Sequence, residues 1–88
     1  MPSYLVETYL SRCRTAARSG CEERARTAAA ELTSAGTHIH FGGVIHVPED
    51  ETCFFVFDAP SSRDAAIVAE RAALGAVRIV EAVTSREE

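Results

Sequence analysis

The strongest constraint in this chain is the segment Thr52 to Asp58, TCFFVFD, which carries three of the four phenylalanines in 88 residues. Its β-branched and aromatic content suits a strand, and seven residues are too few for a typical buried helix. A strand on a one-layer sheet alternates apolar and polar side chains, because only one of its faces is covered. This strand does not alternate: Phe54 and Val56 point one way while Cys53, Phe55 and Phe57 point the other. Leaving either set in water is unfavourable, since burying one Phe is worth roughly 1.5–3 kcal/mol. Something must cover both faces.

The rest of the chain shows what one cover is. Tyr4 to Leu10 reads as a first strand, with Glu7 and Tyr9 on one face and Val6 and Thr8 on the other. Ser19 and Glu22 have the spacing of a capping box. Beyond them Cys21, Ala25, Ala28, Ala29 and Leu32 form one helical stripe that Gly36 closes. From Thr37 to Val47 the period is two, and Pro48-Glu49-Asp50-Glu51 is a polar turn joining this strand to Thr52–Asp58 as a hairpin. Ser61 and Asp64 repeat the capping spacing before an alanine-rich helix that reaches about Leu74 and Gly75. Val77 to Val83 is a last strand and 85–88 a charged tail.

The order βαββαβ, with right-handed crossovers and sequential neighbours, leads to a ferredoxin-like α+β sandwich: one domain over 1–88, a four-stranded antiparallel sheet and two helices on one face. The helices cover one side of the strand Thr52–Asp58. The least demanding cover for the other is a second copy of the sheet, so the expected assembly is a homodimer of the dimeric α+β barrel type, with Cys53, Phe55 and Phe57 at the dimer face or lining a pocket for a small apolar ligand.

Charge and cysteine content narrow the function classes. A net charge of -4 with nine scattered arginines and no lysine disfavours nucleic acid. No apolar run approaches the roughly 20 residues that span a bilayer, and the start Met-Pro-Ser-Tyr lacks the features of a signal peptide, so the expected compartment is the cytosol and no membrane partner is expected. Cys13, Cys21 and Cys53 are odd in number and fit no CxxC pattern, which favours free thiols over a disulfide framework. Of these, Cys21, near a helix start and an arginine-rich stretch, is the best placed to react.

Two constellations point to chemistry. His38 and His40 share a strand face and have the spacing of metal ligands, and His46 joins them if the strand is regular. Gly42-Gly43 lies between, and glycines inside a strand mark a bulge that would reverse the parity beyond it; the alternative for all three is a solvated edge strand. Glu7 lies on a strand expected at the centre of the sheet, next to the last strand and its Arg78. It reads either as half of a Glu–Arg pair or, with Tyr9, as an acid/base group. There is no GxGxxG, P-loop, GxSxG or HExxH sequence.

The segment Val47-Pro48-Glu49-Asp50-Glu51-Thr52-Cys53-Phe54-Phe55, followed by Phe57-Asp58-Ala59-Pro60-Ser61, preceded by Tyr4-Leu5-Val6-Glu7 and closed by Arg78-Ile79-Val80-Glu81-Ala82-Val83, resembles a family of small bacterial ferredoxin-like proteins. Many of these are described as nickel-binding or nickel-responsive. The resemblance spans nearly the whole chain and implies the same fold, with nickel or a related divalent metal as ligand. Nickel-binding members are histidine-rich in strand one and the helices, where this chain has Glu7, Thr8 and alanines; its own candidate ligands are His38, His40 and His46 on the second strand. Two expectations follow. The first is a small homodimeric binding protein, with nickel or another divalent metal as the implied ligand. The second is a small cofactor-independent isomerase, cyclase or monooxygenase-like enzyme with an apolar pocket and Glu7 and Tyr9 as its acid/base groups.

Overall fold

A computed structural model describes residues 1–9 and 17–83, and the reading of Cys13 and of the charged tail falls outside them. Strand β1 spans Ser3–Tyr9, helix α1 Ala17–Ser34, strand β2 His40–Val47, strand β3 Thr52–Asp58, helix α2 Ser62–Arg71 and strand β4 Ala76–Ala82. A single 3-10 turn, Pro48–Asp50, makes the tip between β2 and β3. The sheet order is β2-β3-β1-β4 with every neighbouring pair antiparallel, which is the ferredoxin-like arrangement. Helix α1 packs over β2, and α2 over β1 and β4.

Local chemistry accounts for the helices. Ser61 caps α2: its Oγ accepts from the Asp64 amide at 3.2 Å and donates to the Asp64 carboxylate at 3.0 Å. Helix α1 starts at Ala17 and runs through Ser19, where the capping spacing had suggested a beginning. Alanine and arginine are good helix formers, so the helix extends ahead of the serine. Gly36, at φ +109, takes the left-handed position after α1, and the Thr37 amide bonds back to the Leu32 carbonyl at 2.9 Å. Arg24 of α1 reaches across to the end of α2 and donates from Nε to the Ala72 carbonyl at 2.8 Å.

The core lies between helices and sheet. Ala25, Ala28, Ala29 and Leu32 from α1 and Ala65, Val68 and Ala69 from α2 meet Tyr4 and Val6 of β1 and Cys53, Phe55 and Phe57 of β3. Alanine surfaces let the helices come close, and the aromatic rings fill the remaining volume. Phe41 completes the cluster with its ring 5.3 Å from that of Phe57 and 6.4 Å from that of Phe55. This corrects the placement of Cys53, Phe55 and Phe57 at a dimer face or pocket. Their exposures of 0%, 2% and 0% within one chain put them wholly under the helices. The bulkier of the strand's two apolar sets went to the side where small helical residues needed large partners.

Candidate functional site

Because Tyr4, Val6 and Thr8 of β1 and Cys53, Phe55 and Phe57 of β3 face the helices, the alternate residues define the opposite face. Its composition follows from the strand register. At one end His40, Asp58, Ser3 and Ala82 lie side by side, followed by a row of Gly43, Val56, Leu5 and Val80. Next come Ile45, Phe54, Glu7 and Arg78, and at the far end Val47, Thr52 and Tyr9. One apolar row thus crosses the middle of this face, and Ile45 and Phe54 extend it beside the Glu7–Arg78 pair, with no helix among the described residues over it.

Polar groups frame these rows. Ser3 Oγ donates to Asp58 Oδ1, and Asp58 lies opposite His40. Tyr9 donates to Glu51 at 3.1 Å. Arg78 donates from Nε to Glu7 Oε1 at 3.1 Å, with Nη2 in ion-pair contact with the same oxygen at 3.1 Å, so the two charges expected to be strand neighbours do form a pair. The glutamate side chain is 25% exposed and the arginine 66%. In a single chain so wet a pair contributes roughly 0–1 kcal/mol. The two groups considered for acid/base work share this face, Glu7 bonded to Arg78 and Tyr9 to Glu51.

The three histidines do not gather. Thr33 Oγ1 donates to the Ile39 carbonyl and accepts from its amide, both at 3.0 Å, which fixes the chain ahead of β2 and leaves His38 outside the strand. His40 lies on the helix-free face. Between Phe41 and Gly43 the register of β2 against β3 shifts by one residue, and beyond this bulge the faces exchange. His46 therefore lies opposite Cys53 on the helix side, while Ile45 and Val47 turn to the helix-free side. Among the described residues no three His, Cys, Asp or Glu side chains come together as a metal site, so His38, His40 and His46 of one chain do not fit a shared nickel ion.

The other candidates are on the helix side. Cys21 is half-buried in the α1 stripe, with Arg24 Nη2 donating to its Sγ at 3.3 Å. A groove of about 590 Å³ runs between the helices past Arg26 and Arg71, but Arg26 is bonded to Glu23 at 3.2 Å and Arg71 to Glu31 at 3.4 Å. Both cations already have carboxylate partners.

The residues that sequence reasoning did not place on the helix-free face are Leu5, Ile45, Val47, Phe54, Val56 and Val80. The signal that finds Ile45 and Val47 is the Gly42-Gly43 pair. Gly43 has φ +128, a conformation open to glycine, and its neighbour Gly42 sits so close to Val56 that an added Cβ would lie 3.4 Å from a Val56 methyl.

No helix among the described residues is long and apolar enough to cross a membrane. No family model, curated protein or solved structure matches the chain, so the reading of the site rests on its own geometry.

Proposed function

We propose that this chain is a small binding protein whose working form is a homodimer, with the helix-free face of one sheet against that of another and a small apolar ligand held between them. The observation that supports this most is the apolar patch of the uncovered face, the row of Val56, Leu5 and Val80 with Ile45 and Phe54 beside it.

The side chains of this face are left open by one chain: Leu5, Phe54 and Val56 are half-buried and Ile45 is 53% exposed, and a second sheet laid on them would remove that apolar surface from water. Gly43 supplies the place for a ligand. An added Cβ there would meet nothing within 4 Å, so open space lies over the row it shares with Val56 and Leu5, which two opposed sheets would enclose as a notch. Such a notch, bordered by apolar side chains, would accept an apolar group better than a cation.

Sedimentation equilibrium of the wild type and of Phe54→Arg tests the assembly. A dimer at micromolar concentration that weakens at least ~30-fold in the variant supports it, as loss of a central aromatic anchor would. A monomer over the same range overturns it. Titration with an aliphatic fluorophore tests the ligand: saturable binding that disappears in Phe54→Arg supports the notch, and unsaturable uptake contradicts it.

A further inference from the structure

The Glu7–Arg78 pair is the feature of the helix-free face that packing alone does not explain. It continues the row of Ile45 and Phe54, with Leu5 and Tyr9 two residues either side of Glu7 on β1 and Val80 two residues beyond Arg78 on β4. The glutamate side chain is already three-quarters covered within one chain, while that of the arginine stands out at 66% exposure. Both arginine contacts fall on one oxygen, Oε1. The recorded contacts of the pair do not use Glu7 Oε2 or Arg78 Nη1, so an acceptor oxygen and donor N–H groups remain for a further partner.

We propose that the Glu7–Arg78 pair lies inside the interface between two copies and fixes their register, Arg78 of each copy meeting Glu7 of the partner subunit in a ring of four charges. This rests on the homodimer reading above and says where its specificity comes from. A second copy suits the face better than an unrelated partner because each copy brings one charge of each sign, so a two-fold axis makes the surface complementary to itself. A second copy would also bring its own Leu5, Phe54 and Val56 to side chains that one chain leaves partly open. Interfacial charges of this kind select partner and register more than they add affinity, because desolvation offsets their attraction. An apolar face alone would tolerate several sliding registers; the four charges admit one.

Charge exchange between differently tagged chains is the test. Glu7→Arg places two positive charges on each face and Arg78→Glu two negative ones. Each variant alone is expected to dimerise at least ~10-fold more weakly than the wild type, and an equimolar mixture to recover a heterodimer of near wild-type affinity. Self-association as tight as the wild type, or a mixture that gains nothing over its components, overturns the proposal. Wild-type chain that does not dimerise instead overturns the homodimer reading beneath it, so the two failures are distinct.

Should Glu7→Arg fail to fold, methionine substitutions address the same point. Arg78→Met alone leaves a carboxylate unpaired in the interface and is expected to weaken the dimer at least ~10-fold, while Glu7→Met with Arg78→Met restores it. An unchanged dimer in Arg78→Met places the pair outside the interface.

Discussion

The two faces of this sheet are built from alternate residues of the same strands. On the helix side Phe57, Phe55 and Val6 are no more than 2% exposed, closed over by alanines of α1 and α2. On the other side Phe54, Val56 and Leu5 are only partly covered, and Ile45 is 53% exposed. Neighbouring phenylalanines on one strand thus have different standing. The complement of Phe57 is the alanine-rich helices, whereas Phe54 stays partly open among the described residues. A sheet apolar on both sides with described helices on one leaves apolar side chains open on the other, which is why the proposed dimer is placed there.

Substitutions at matched positions separate the two faces. The largest expected effect is Phe57→Ala, which opens a cavity in the closed core and costs ~3–5 kcal/mol of stability in chemical denaturation. An effect equal to that of Phe54→Ala would erase the contrast. Phe54→Ala, measured in dilute solution where association is negligible, is expected to cost ~1–2 kcal/mol, since the ring is partly solvated within one chain. The same change measured at high concentration should cost more, because it then includes lost association. Gly43→Ala forces a residue with a Cβ to φ +128 and should cost ~1–3 kcal/mol, read from the denaturation midpoint. Ser61→Ala removes the α2 cap far from the uncovered face and should cost ~1 kcal/mol at every protein concentration. The smallest effect concerns metal: nickel titration by calorimetry should give the same isotherm for wild type and for His38→Ala with His40→Ala. Loss of a stoichiometric binding event in the double variant would show that those histidines are ligands.

What could be read from the sequence was set by local chemistry. The Ser61–Asp64 box, the Ala25–Leu32 stripe and the glycine after α1 each follow from residues a few positions apart, and all three appear in the structure. The order of elements implies the ferredoxin-like sheet, in which β4 neighbours β1 and Arg78 stands beside Glu7. Two features depended on information outside any one strand. Which side of TCFFVFD faces the helices was decided by how much volume the alanine-rich helices leave to be filled, and both sides of that strand are apolar. The parity of β2 was decided by the bulge at Gly42-Gly43, which turned Ile45 and Val47 outward and His46 toward Cys53. A shift of one residue undid the alignment of the three histidines and enlarged the apolar face.

The most direct test is an isotope-filtered nuclear Overhauser experiment on a mixture of labelled and unlabelled wild-type chains. The account predicts intermolecular contacts from the methyl groups of Leu5, Val56 and Val80 and from the ring of Phe54. Contacts arising instead from exposed helix-side residues such as Ile67, or no intermolecular contacts at concentrations where sedimentation detects a dimer, would contradict it.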